Sequence, residues 1–108
     1  MRPWGWYTVL HEAESYKVKI LFVLPGRRLS LQRHRHRSEY WVVVGGEGRA
    51  IIDGNTVTVR QGSIIHVPAG SVHRLENTGS TILEVIEVQL GKCDEADIER
   101  LEDDYGRV

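Results

Sequence analysis

Cysteine is nearly absent from this chain: Cys93 stands alone among 108 residues, so no internal disulfide can form and no thiolate cluster can hold a metal. A lone cysteine suits a reducing compartment, and the cytoplasm is the expected location. Long apolar runs are missing as well. None approaches the roughly 20 residues that a membrane span needs, and Met1-Arg-Pro-Trp-Gly-Trp has no signal-peptide core, so neither a membrane nor an export route is expected. Excess charge of one sign is also lacking: 14 basic and 15 acidic residues leave a net charge of −1, too little to recruit nucleic acid through a global field. No repeat or low-complexity segment divides the chain. With 41% hydrophobic and 27% charged residues it reads as one ordinary globular domain over residues 1–108.

What is present is mostly strand and turn. Residues 1–16 combine Trp4, Trp6 and Tyr7 with glycine, too irregular for a helix, and are expected to form an arm with a short strand. Its aromatics should cover one end of the core or a neighbouring subunit, with a wall for a sugar ring as the alternative. A barrel is expected over residues 17–90. Tyr16 to Leu24 alternates and then turns wholly apolar, which places Lys17 and Lys19 on one face of a strand. Further strands are expected over residues 28–32, 39–44, 49–53, 56–59, 63–67, 71–77 and 81–89, with Asp53-Gly54-Asn55 as a strong hairpin signal. Strands this short with turns this frequent make an all-β sandwich or barrel. Only residues 94–104 change period. Asp94 is a good N-cap and Ile98 and Leu101 lie three apart among charges, which predicts a short amphipathic helix.

The chemistry concentrates between Gly26 and Gly46. Gln32, His34 and His36 alternate and would share a face if the segment is extended, whereas Glu39 joins them only across a bulge or bend. Imidazole nitrogen with carboxylate and amide oxygen suits a divalent zinc, manganese, iron, cobalt or nickel ion. A basic cluster of Arg27, Arg28, Arg33, Arg35 and Arg37 crowds the same stretch. Most of these are expected on a solvated face, with one or two free to grip a phosphate, and strict alternation turns Arg33, Arg35 and Arg37 away from the ligands.

Two spaced patterns run through the middle of the chain. Gly26, Gln32, His34, Glu39 and Gly46 make the first, and Gly62, Pro68, Gly70, His73 and Asn77 the second. Together they resemble the two signature motifs of the cupin superfamily, with Gln32 standing where the general pattern has histidine. The resemblance implies a small double-stranded β-helix, or jelly roll, and a metal site from Gln32, His34, Glu39 and His73. His36 either replaces Gln32 or sits beside the site. Over nearly the whole length, the strings RPWGWY, YKVK, PGRRLSLQRHRHRSEYW, VPAGSVHRLEN, LEVIEVQLG and DDYGR are similar to the carboxy-terminal domain of type II mannose-6-phosphate isomerase/mannose-1-phosphate guanylyltransferase proteins. Glutamine at the first ligand position is expected there. Tyr40, by contrast, stands where that family tends to have histidine. The residues hold no Gly-rich nucleotide loop, so guanylyl transfer is not expected of them.

The resemblance implies a metal-dependent isomerase that interconverts mannose 6-phosphate and fructose 6-phosphate through an enediolate. Candidates for the proton-moving group are Glu87, Glu84, Lys19 and His36. Glu84 and Glu87 have opposite parity, so at most one faces inward on a regular strand. Arg74, beside His73, and Arg28, near the expected barrel mouth, are candidates for the phosphate. The expected partners are a small sugar phosphate and, from the resemblance, a second copy in a homodimer. A small metal-dependent dioxygenase and a non-catalytic sugar-binding module are the rival readings.

Overall fold

Asp53 and Gly54 both take positive φ, 47° and 81°, the conformation that a two-residue hairpin demands. Similar breaks divide the computed structural model, which describes residues 1–94 and 96–108, into ten strands. They are β1 (Gly5–Glu12), β2 (Tyr16–Val23), β3 (Leu31–Arg33), β4 (Arg37–Gly45), β5 (Glu47–Ile52), β6 (Asn55–Arg60), β7 (Ile64–Val67), β8 (His73–Asn77), β9 (Leu83–Gly91) and β10 (Glu99–Glu102). The strands form two antiparallel five-stranded sheets, ordered β1-β2-β9-β4-β7 and β10-β3-β8-β5-β6. This is the all-β double-stranded β-helix that the motifs imply.

Cross-strand register sorts the interior into two halves. In the first sheet Val23 opposes Leu83 and Leu21 opposes Val85, whereas Lys19 opposes Glu87 and Lys17 opposes Gln89. Moving along β4, the inward residues change in the same sense, from Arg37 and Glu39 through Trp41 to Val43. One end is therefore an apolar floor of Val23, Val43, Leu75, Leu83 and Val85, each no more than 1% exposed. Burying such side chains stabilises by roughly 1.5–3 kcal/mol each, and that contribution helps hold a polar half above them.

Residues expected as an arm contribute more than a short strand. β1 runs for eight residues along β2, with Trp4 buried in the core and Trp6 stacked on Phe22 at 4.9 Å. The expected helix over 94–104 is replaced by a turn and a strand, and no helix occurs among the described residues; Glu95, inside that range, lies outside them. Asp94 still acts as a local cap, accepting from the Ala96 N–H at 2.9 Å. The chain then extends because β3 offers it an open edge. β10 pairs there, Glu99 opposite Arg33 and Arg100 opposite Gln32, with an Arg33–Glu99 ion pair at 2.7 Å. A helix this short is marginal by itself, and strand pairing satisfies its backbone groups better.

Gly46 (φ +81°) joins β4 to β5 where a Cβ would come within 2.6 Å of the Ile82 carbonyl oxygen, whereas Gly70 (φ +80°) has open space around it. Gly70→Ala should therefore cost only the backbone penalty of about 1–2 kcal/mol, and Gly46→Ala distinctly more. Urea midpoints of the two variants check this, and equal midpoints would contradict it.

Candidate metal centre

A bend at Arg35 and His36 resets the alternation that the sequence suggests. Gln32 and His34 point inward; Arg35 and His36 are exposed; Arg37, Glu39, Trp41 and Val43 are buried. The bend is held by the Asp97 carboxylate, which accepts from the backbone N–H of Arg35 at 3.1 Å and of His36 at 2.9 Å. His36 is thereby removed from the cavity, correcting its place among the proton-moving candidates, and Glu39 is brought in.

The second motif delivers His73 through a chain of local bonds. Ser71 N–H and Oγ–H both donate to the Pro68 carbonyl, at 3.1 and 2.6 Å. The Ser71 carbonyl in turn accepts from His73 Nδ1 at 3.0 Å, leaving Nε2 as the lone-pair nitrogen. Gly70 N–H donates to the His34 carbonyl at 2.8 Å and ties the motifs together. Gln32 and His73 are direct partners across β3 and β8. Asn77 plays a different part: its amide donates to the Val23 and Thr81 carbonyls, both at 2.8 Å, and fastens strand ends.

His34, Glu39 and His73 each offer a donor atom, all within 4.8 Å of one another, and all three side chains are buried. Burial holds His73 below its usual pKa, in the neutral form that ligation needs. Trp41 Nε1–H donates to Glu39 Oε1 at 3.0 Å and orients that carboxylate. Two imidazoles and a carboxylate, with the Gln32 amide in the same cavity, fit a divalent ion in kind and spacing. The guanidinium of Arg37 reaches the same donors, its Nη2 donating to His34 Nε2 at 2.7 Å and its Nε to Glu39 Oε2 at 3.0 Å. Nη1 of Arg37 has no hydrogen-bond partner. Strict alternation from Gln32 pointed Arg37 outward. The signal that could have found it was Glu39, because a bend placed before Arg37 that brings Glu39 in brings Arg37 in too.

These residues line a cavity of about 190 Å³, below the roughly 300–1,000 Å³ of drug-sized pockets. Its occupant must be small. Glu87 and Lys19 face it from β9 and β2, directly opposite each other. Burial, reinforced by the Glu39 charge, pushes the Glu87 carboxyl up to about 8; the Gln89 amide donates to it. Glu84 is corrected by the same alternation: Leu83, Val85, Glu87 and Gln89 are buried, and Glu84 lies on the other face beside Gly45. Arg74 and Arg28 lie outside the cavity as well. Arg74 donates to the Leu29 carbonyl at 2.9 Å and reaches Glu102, while Arg28 forms ion pairs with Asp104 at 2.7 Å and Glu76 at 3.1 Å. Tyr40 stacks on His66 at 4.6 Å on the outer face, which takes that position out of the cavity.

Comparison with known proteins agrees with this picture. The family model described as "Mannose-6-phosphate isomerase C-terminal" matches residues 1–103. The alginate biosynthesis protein AlgA of Pseudomonas aeruginosa is 48% identical over 108 residues, covering 99% of this chain and 22% of that protein. A mannose-1-phosphate guanylyltransferase of Escherichia coli is 44% identical, covering 99% and 23%. The chain thus spans about a fifth of the length of these relatives. Among solved structures, a double-stranded β-helix protein from Klebsiella pneumoniae superposes with a TM-score of 0.82 at 21% identity, over 95% of this chain and 89% of that one. The cupin domain of Schizosaccharomyces pombe Cnp3 gives 0.77 at 14%, over 80% and 64%. The structural likenesses support the fold alone.

Two outcomes follow for solution work. Glu39→Gln and His73→Ala should each lower the affinity for zinc or manganese, measured by calorimetry, by at least about tenfold, with His36→Ala unchanged. In chelator-treated protein, folded Glu87 keeps a proton that the unfolded chain has released, between its ordinary 4.5 and about 8. Stability should therefore fall as pH rises through that window, by up to ~1.4 kcal/mol per pH unit. Glu87→Gln should remove that part of the slope in urea titrations.

Proposed function

Since the chain belongs to the mannose-6-phosphate isomerase C-terminal family, we propose that its cavity is the site of a metal-dependent aldose–ketose isomerase. The reaction is the interconversion of mannose 6-phosphate and fructose 6-phosphate through an enediolate. One observation carries this reading: the buried carboxyl of Glu87 faces the same small cavity as the His34–Glu39–His73 cluster, with Lys19 opposite it. Moving a proton between C1 and C2 needs a base whose pKa lies near the working pH, and burial supports that role for Glu87.

The roles of the other residues follow from position. Held by His34, Glu39 and His73, with Gln32 beside them, a divalent ion would supply Lewis-acid stabilisation of the charge that develops on the substrate oxygens. Arg37, through its unpartnered Nη1, donates toward an oxyanion in the same space. The charges of Arg37 and Lys19 favour the ionised form of Glu87 and limit how far burial raises it. Gln89 donates to Glu87 and holds its orientation. The Val23, Leu83 and Val85 floor excludes water beneath the reacting end. The cytoplasm is the compartment that suits this reading, since the single cysteine can form no internal disulfide.

The test is conversion of mannose 6-phosphate by the metal-loaded chain, followed by NMR. Wild-type protein should turn over, and Glu87→Gln should lose at least about 10²-fold in kcat while still binding substrate. Saturable binding of mannose 6-phosphate without any product would sink the isomerase reading in favour of a sugar-binding module.

A further inference from the structure

The cavity is lined unevenly in charge. Five cationic side chains, Arg2, Lys19, Arg37, Arg100 and Arg107, face two carboxylates, Glu39 and Glu87. Lys19 and Arg37 lie deep and have those carboxylates as neighbours. The other three come from the two chain ends and are less buried: Arg2 is exposed, and Arg100 and Arg107 are partly exposed. They mark the mouth, above a floor where His34, Glu39 and His73 are buried.

Each of the three is placed by its own local structure. Arg2 sits in a tight turn closed by reciprocal backbone bonds with Gly5 at 2.7 and 3.1 Å, and its guanidinium donates to the Tyr7 hydroxyl at 3.1 Å. Arg107 is clamped by the Asp103 carboxylate, through Nε and Nη2 at 2.9 Å each. Arg100 lies in β10 directly opposite Gln32, so its position is tied to the ligand-bearing strand β3. Its Nε is buried and has no hydrogen-bond partner. Burial, then the neighbouring Arg107 and Arg2 charges, work against its own charge, and Asp103 offsets only part of this. Clustered guanidiniums with an unsatisfied buried donor are stabilised by an anion with several acceptor oxygens, and a phosphomonoester matches the planar donor fork of arginine.

We propose that Arg2, Arg100 and Arg107 form the subsite for the phosphate of the substrate, a phosphomonoester of a small sugar. This assignment rests on reading the cavity as a sugar-phosphate site. It places the phosphate at the mouth and the reacting carbons at the floor, beside Glu87 and the His34–Glu39–His73 cluster. It also replaces Arg28 and Arg74, whose side chains do not line the cavity.

The test compares mannose 6-phosphate, inorganic phosphate and unphosphorylated mannose in calorimetric titrations of the full chain, for wild type, Arg100→Gln, Arg100→Lys and Arg2→Gln. Arg2 is exposed, so its variant keeps the experiment readable if a change at Arg100 disturbs β10. The expected result is a loss of about tenfold or more in affinity for both phosphates in Arg100→Gln and Arg2→Gln. Arg100→Lys should recover part of it, mannose binding should not change, and the turnover assay should show the loss in KM rather than kcat. Unchanged phosphate affinity and KM in both glutamine variants would overturn the subsite, even with isomerisation intact. Phosphate binding that these variants abolish, in a wild-type chain that makes no product, would uphold the subsite and overturn the isomerase reading instead.

Discussion

A shift of one residue in strand parity decides which side chains of β4 enter this barrel. The bend at Arg35 and His36 is locked from three directions: Asp97 accepts both of its backbone N–H groups, Gly70 N–H binds the His34 carbonyl, and Lys92 N–H binds the His36 carbonyl at 3.0 Å. Asp97 and Lys92 belong to the connection between β9 and β10, and Gly70 to the turn before β8. Without that shift the side chains of β4 would change faces. Glu39 and Trp41 would meet solvent, and His36 would take the place that Arg37 occupies.

The two-halved interior follows from the same register. Glu39 lies opposite Gln89, and Trp41 opposite Glu87, because β9 runs between β2 and β4 in an unbroken antiparallel ladder along these residues. Lys17, Lys19, Arg37, Glu39 and Glu87 are all buried on or beside that ladder. Charges removed from water are costly unless paired, and a scaffold selected for stability alone would replace them with apolar groups. Their retention beside an apolar floor sets apart a polar cavity whose groups are oriented before a ligand arrives. The ion pair from Arg37 to Glu39, the Trp41 bond to the same carboxylate and the Gln89 bond to Glu87 each fix a functional group in place.

Much of this was legible in the linear chain. Turn residues and β-branched runs mark nearly every strand, since φ preference and side-chain packing act locally. The positions of Gln32, His34, Glu39 and His73 follow two spaced motifs, and they do share the cavity. Local pattern misled where a distant partner intervened. Residues 94–104 carry helical cues, yet the free edge of β3 draws Glu99–Glu102 into a strand, and Ile98 and Arg100 then line the cavity. Arg28 and Arg74 resemble anion grips, yet Asp104, Glu76 and the Leu29 carbonyl engage them. Parity within β9 limited Glu84 and Glu87 to one inward residue without choosing between them.

The amino-acid order by itself determined the all-β class, the two motifs with their donor types, and the positions of most turns, because each depends on residues close together in the chain. Tertiary structure decided which of Glu84 and Glu87 faces inward, that Arg37 replaces His36 in the cavity, and that both chain ends supply arginines to its mouth. Those outcomes depend on pairing between strands tens of residues apart, and a bond such as Asp97 to the backbone of His36 exists only once the barrel has closed.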